Sequence, residues 1–368
     1  MATLQETTFG NLILPSGTTA ERPGTPVAGM LRYNTSMNLL EFYNDGWRPV
    51  TGVSKGTVGT GGNTIRYVGA GGNRTSGYIT HMFTATGAHT FTPTFTGTVE
   101  VLIVAGGGSG GSHWGGGGGG GGMVYSRSFP VTNGTGVSIT VGAGADRPSF
   151  PAAGNNGGNS VMGGLTAIGG GAGGSWSGDQ SRQNGGSGGG GPNGDGEGSR
   201  QRYLGGLGTN GQGFPGGSGL RFNVETDNTH QAGGGGGAGG PGLSGQERAY
   251  DGLRADGGPG VANDIVGEIL YWGGGGAAGA HLGNGKRAGA GGIGGGGGAN
   301  FYHSGPRGPG SSFFGIGGGQ ALNSGGNAVS IQESGNGGAN TGGGGGGHNY
   351  QYAGVGGAGG SGIVIVRY

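Results

Sequence analysis

Uninterrupted glycine constrains this chain more than any other feature: 114 of its 368 residues are glycine, and residues 115–122 are all glycine. Glycine loses more backbone freedom on folding than any other residue and has no side chain to bury, so such stretches cannot build a conventional hydrophobic core. Three states accommodate that much glycine: a disordered linker, a collagen triple helix, and a bundle of extended glycine helices. Collagen requires glycine at every third position and abundant proline, whereas the runs here are continuous and the chain has only 14 prolines. A linker would lack strand formers, yet the runs are bracketed by Val99-Glu100-Val101-Leu102-Ile103-Val104 and by Ile363-Val364-Ile365-Val366.

What remains is a polyproline II type helix of glycine, with three residues per turn, a rise of about 3.1 Å per residue and no internal hydrogen bonds. All its peptide groups point outward, so these helices are stable only side by side, each bonding to its neighbours. Ordering a residue costs about 1–2 kcal/mol and a hydrogen bond returns roughly 0.5–1.5, so a lone helix loses and a bundle of many approaches balance. The expected fold class is all-β with a polyglycine II helix bundle and almost no α-helix: a small amino-terminal β-hairpin module, a β-sandwich base, and a glycine-rich bundle with distal loops.

Composition narrows the function. With 18 basic and 17 acidic residues the net charge is +1, so no field draws in nucleic acid or an acidic membrane. No apolar run approaches the roughly 20 residues of a membrane-spanning helix, and the first residues do not read as a signal peptide. Cysteine is absent, which removes disulfides and thiolate metal sites.

Along the chain, residues 1–52 have ordinary composition and read as a β module for attachment or oligomerisation. Its strands are expected at Asn11-Leu12-Ile13-Leu14, at 30–34 and at 39–43, the last two forming a hairpin. Residues 53–63 read as a linker and 64–104 as the β-strand base. Residues 105–368 read as the glycine bundle, closed by the terminal strand 363–368. Strand-like segments at 123–125, 137–141, 165–168 and 265–272 would return to the base, so the chain must leave along one rod and come back along another. Residues 106–111 would go out, Ser112-His113-Trp114 would turn, and 115–122 would return over roughly 25 Å. The same alternation places Ser175-Trp176 through Asn184, 281–287 and 348–352 at the far end; the path of 199–260 stays open.

The stretch from Thr98 to Gly108, the segment 137–144 and the end 362–368 resemble a glycine-rich domain common in tailed-phage fibre proteins. The likeness covers most of the chain after residue 83 and is similar to the distal adhesins of T-even-like phages. Gly10-Asn11-Leu12-Ile13-Leu14-Pro15, Arg22-Pro23 and 29–35 resemble a module recurrent in virion proteins, often of cyanophages. The resemblance implies a virion surface location, on a tail or head fibre, host-recognition loops at the tip of polyglycine II sandwiches, and a homotrimer. It departs from the T-even pattern in that this chain carries its own amino-terminal module.

No cofactor or catalytic site emerges. The nearest approach to a phosphate-binding loop, Gly285-Lys286, has Ala280 where the first glycine belongs and Arg287 after the lysine. Glu225, Asp227 and His230, and the pair Asp195 and Glu197, read as solvated loop residues rather than a metal site or glycosidase dyad. The sharper candidates are aromatic and basic residues at the expected tip: His113, Trp114, Trp176, Arg182, Lys286, Arg287, His348, Tyr350 and Tyr352. Tyrosine and tryptophan bury large area at low entropy cost and suit receptor or glycan contact; alternatively these rings cap the open ends of the bundle. The expected function is a non-enzymatic virion adhesin that engages other virion proteins through residues 1–52 and a host receptor through its loops. The alternatives are a purely structural head fibre or capsid decoration protein, and an ice-binding protein, which would need a regular flat face.

Overall fold

The structure is a computed structural model. It describes residues 14–37, 39–49, 59–62, 64–68, 78–176, 183–193, 201–224, 227–245, 254–281, 288–302, 314–330, 332–348 and 354–368. Among them there is no α-helix; one 3-10 turn, Thr19–Glu21, is the only helical element.

In the amino-terminal module, β1 (Ser16–Gly17), β2 (Leu31–Asn34), β3 (Leu39–Tyr43) and β4 (Trp47–Pro49) form one sheet in that order. The expected hairpin is present, with Leu31 opposite Phe42 and Asn34 opposite Leu39. The other expected strand lies largely outside the described residues, and its last residue, Leu14, is not in a strand. This module is built around polar groups. Glu41 is 1% exposed and accepts hydrogen bonds from Arg22 and Asn34, with Arg32 beside it. Both guanidinium groups lie over the Trp47 ring, at 5.9 and 5.7 Å from its centroid.

The base is a sandwich. One sheet comprises β5 (Thr64–Val68), β6 (Tyr78–Phe83), β8 (Gly97–Val104), β9 (Met123–Val131) and the final strand β20 (Ile363–Arg367). The other comprises β7 (Gly87–Phe91), β10 (Val137–Val141), β11 (Ser160–Met162) and β12 (Leu165–Ala167). Alternation along β8 explains the packing: Val99, Val101 and Ile103 face the second sheet and join Phe83, Phe91, Ile139, Met162, Val364 and Val366 in one core. Leu102 and Val104 point the other way, with Ile363 and Ile365, onto Ile265, Val266 and the fully buried Trp272. That second layer is the hairpin of β16 (Val261–Asn263) and β17 (Leu270–Trp272), so Ile265 and Val266 sit in its turn rather than in the continuous strand read from sequence. The base thus draws on 123–167 and on the last strand as well as on 64–104. β20 lies between β6 and β8, antiparallel to both. Arg367 on β20 binds Glu100 through Nε and Nη2 and the Asp264 carbonyl through Nη1, joining three parts of the base.

Between these layers and the opposite end the chain runs out and back in extended glycine segments. Residues 115–122 show how they are held. The N–H groups of Gly115, Gly118 and Gly121 bond to the carbonyls of His348, Gly345 and Gly342. Those of Gly116, Gly119 and Gly122 bond to Gly174, Gly171 and Ile168, and those of Gly117 and Gly120 to Gly233 and Gly236. The carbonyls serve three further segments: Gly116, Gly119 and Gly122 accept from Gly111, Gly108 and Ala105, Gly117 and Gly120 from Gly190 and Ser187, and Gly115 and Gly118 from Gly279 and Gly276. Each neighbour is met every third residue, and six surround this segment. Five run antiparallel to it and one, through 233 and 236, runs parallel. Residues 106–111 and 115–122 therefore go out and back as the sequence predicts.

Away from the base, β13 (Gln201–Tyr203), β14 (Gly219–Val224), β15 (Asp227–Gln231), β18 (Ala280–His281) and β19 (Phe301–Tyr302) form a fifth sheet. It defines the path through the described part of 199–260: out to β14, back from β15 to Ala238, which bonds to Gly273, then out again along 240–245.

Candidate functional site

At the end of the bundle remote from the sandwich, the reversal between 105–111 and 115–122 is made by Ser112, His113 and Trp114. His113 and Trp114 have φ of 53° and 54°, a left-handed pair of non-glycine residues. Each such residue costs roughly 1–2 kcal/mol, so the surrounding bonds must hold it. They do: the His113 carbonyl accepts from Trp176 N–H at 3.2 Å and the Trp114 carbonyl from Asn193 N–H at 3.1 Å. The tight turn thereby aims two consecutive carbonyls at the ends of two adjacent segments. Ser112 secures a third, since its backbone N–H and Oγ both donate to the Ala152 carbonyl and its Oγ accepts from Ala152 N–H.

The rings collect over this framework. His113 meets Trp176 edge to face at 4.4 Å between centroids, Trp114 meets Trp176 at 5.2 Å, and His113 lies 5.4 Å from both Trp114 and Phe150. His113 is 5% exposed, and burial holds its imidazole below the ordinary histidine range, so the neutral form is favoured at neutral pH. The two indoles are half-buried and Phe150 is exposed. His348, on the neighbouring segment, is fully buried; its ring lies over Gly354, where a Cβ would come within 2.6 Å of Cε1. Ser175 Oγ and both polar atoms of the Asn193 carboxamide are buried there without a hydrogen-bond partner among the described residues.

Of the residues singled out from sequence, His113, Trp114 and Trp176 are brought into one cluster. His348 is at the same end, bonded through its backbone to Gly111 and Gly115. Arg182, Lys286, Arg287, Tyr350 and Tyr352 lie outside the described residues. Asn184, read as part of the tip, instead sits further down the bundle, where its Oδ1 accepts from Leu207 N–H. Glu225, Asp195 and Glu197 also fall outside the described residues, while Asp227 and His230 lie on β15. Sequence reasoning missed Phe150. Its signal was available, because Ser149-Phe150-Pro151 interrupts two small-residue stretches, 142–145 and 154–158, in the way that 112–114 interrupts the first pair. What the cluster offers chemically is aromatic surface over a neutral, rigid support.

A family model described as a glycine-rich domain matches residues 84–319. It spans well over half of the chain, and the protein belongs to that glycine-rich domain family. No curated protein matches the chain.

Proposed function

We propose that the extended segments are polyglycine II helices and that the protein is a non-enzymatic virion fibre protein, an adhesin whose loops engage a host receptor. Lateral bonds that recur every third residue to six neighbours fit a helix of three residues per turn whose peptide groups all point outward. Such a bundle is stiff because every inner peptide group is tied sideways. A stiff support spares recognition loops part of their ordering cost, and several copies on one particle would add avidity. The observation that carries this reading is the separation of ends. The two large apolar cores lie at the base, while the clustered indoles and the exposed Phe150 lie at the opposite end. In this reading 177–182, 282–287 and 349–353 supply further contacts through Arg182, Lys286, Arg287, Tyr350 and Tyr352.

The test replaces 282–287 and 349–353 with glycine and serine of equal length. Binding of the purified chain to cells that the particle adsorbs to is expected to fall at least tenfold with unchanged unfolding, and antibody to the chain should label a fibre tip. Undiminished binding overturns the adhesin role. The burial of His113 and His348 favours a second reading, in which this end merely closes the bundle of a structural head fibre or decoration protein. Intact particles with unaltered host range after the same replacement would support it.

A further inference from the structure

A second device lies at the base, where the chain enters it. Residues 59–62 follow the amino-terminal module in sequence and are seated on the sandwich by a short set of specific bonds. Thr60 and Thr92 exchange both backbone hydrogen bonds, at 2.8 and 2.9 Å. Gly59 N–H donates to the Tyr368 hydroxyl at 2.7 Å. The Gly61 carbonyl lies 2.7 Å from His81 Nδ1, and His81 Nε2 lies 2.9 Å from the Tyr368 hydroxyl.

The acceptor at Nδ1 and the burial of the ring together assign the protons. A carbonyl can only accept, so Nδ1 carries a hydrogen, and in the neutral imidazole that burial favours Nε2 is the lone-pair nitrogen. The Tyr368 hydroxyl then donates to Nε2 while its oxygen accepts from Gly59. The relay Gly59 to Tyr368 to His81 to Gly61, with each group donating to the next, requires a neutral imidazole. His81 is fully buried, stacked on Tyr368 at 5.6 Å between centroids and edge-on to Phe91 at 5.1 Å. Tyr368 is the only titratable group among the described residues that touches it. His89, on β7, turns instead to the Ala85 carbonyl and the Phe83 ring, and Val366 is the residue opposite His81 on β20. Among the described residues no side-chain carboxylate bonds to His81, whose polar partners are the Gly61 carbonyl and the Tyr368 hydroxyl. The segment also fits too closely to shift within its seat: a Cβ at Gly59 would lie 2.8 Å from the Phe91 ring, and Gly61 has φ of 110°.

We propose that residues 59–62, His81 and Tyr368 form an acid-sensitive clip, which fastens the segment joining the amino-terminal module to the base and releases it when His81 Nε2 takes up a proton. The added proton reverses the bond at Nε2: the Tyr368 oxygen must then accept from both Nε2–H and Gly59 N–H, its own hydrogen must turn away from Nε2, and a charge is placed in a buried site. Removing 59–62 opens a route for water to the imidazolium, so the charged form favours the open state. Burial holds the imidazole below the ordinary histidine value of about 6.5, and release falls on the acid side of it. The clip is therefore closed at neutral pH, and its contribution is lost as pH falls through the lowered value.

Because the chain has no cysteine, a single spin label can be attached through Thr60→Cys, an exposed position. Its mobility is followed in the full chain from pH 8 to about 4, with far-ultraviolet dichroism recorded in parallel. The expected result is an immobile label at neutral pH that becomes mobile below about 6.5, at constant dichroism. Tyr368→Phe should free the label at neutral pH, and His81→Gln should remove the acid transition. A label that stays immobile throughout overturns the clip, as does an acid transition that persists in His81→Gln or coincides with loss of the sandwich.

Discussion

Adding one methyl group at Gly118, at the middle of the bundle, should cost a large part of the protein's stability. A Cβ there would lie 2.7 Å from the Gly108 carbonyl carbon and 2.8 Å from that of Ser109, and closer still to the Gly108 oxygen. Carbon atoms pack best at about 3.5–4.0 Å, so the two segments must separate by roughly 1 Å. Three hydrogen bonds cross that seam, from Ala105, Gly108 and Gly111 to Gly122, Gly119 and Gly116, at 2.9–3.0 Å. Water cannot replace them, and a buried unpaired group costs about 1–3 kcal/mol, which gives about 3–9 kcal/mol for the seam. That is comparable with the whole folding free energy of a typical domain, about 5–15 kcal/mol. The matched control is Gly319→Ala, where no atom lies within 4 Å of the new carbon. There the effect should be within about 1 kcal/mol and toward stabilisation, because alanine restricts the unfolded chain. Urea unfolding followed by tryptophan fluorescence compares the two. If Gly118→Ala unfolds within about 1 kcal/mol of the native chain, lateral backbone bonding is not what holds the bundle.

The outer segments lack a neighbour on one side, and asparagine carbonyls stand in for it: Asn159 Oδ1 accepts from Gly169 N–H and Asn336 Oδ1 from Ala358 N–H. Asn159→Ala should cost about 1 kcal/mol in urea unfolding and Asn159→Asp, which keeps the acceptor, less than half of that. In the amino-terminal module the hydrogen bond from Arg22, aided by Asn34 and the nearby Arg32 charge, holds the Glu41 carboxyl below the ordinary carboxylate value despite burial. Its stabilisation is therefore fully present above the unfolded-state value and lost as pH falls through the folded one. Hydrogen exchange across residues 31–43, corrected for intrinsic rates, should rise on acidification in the native chain, and Glu41→Gln should show the raised exchange already at neutral pH.

Much of this architecture is legible in the residues. The contrast between glycine runs and apolar alternation separates segments that bond through the backbone from segments that bury side chains, which is why β8, β10, β12 and β20 were recognisable. The hairpin of β2 and β3 followed from its short polar connection. The out-and-back alternation placed His113, Trp114 and Trp176 at one end, because a polar or aromatic interruption between two glycine stretches has nowhere else to go. The asparagine acceptors and the polar interior of the amino-terminal module were not legible, since each depends on which segment lies alongside.

What the amino-acid order alone determines is that glycine-rich tracts must satisfy their peptide groups sideways, and that the apolar strands flanking them must gather into a base. Which tract neighbours which, the entry of β20 between β6 and β8, the sheet formed by β13, β14, β15, β18 and β19, and the seating of 59–62 against His81 belong to the tertiary structure. The physical reason is that a glycine presents the same peptide group at every position. Without side chains to distinguish one partner from another, neighbour choice is made by the three-dimensional arrangement of strands and turns at the ends of each tract.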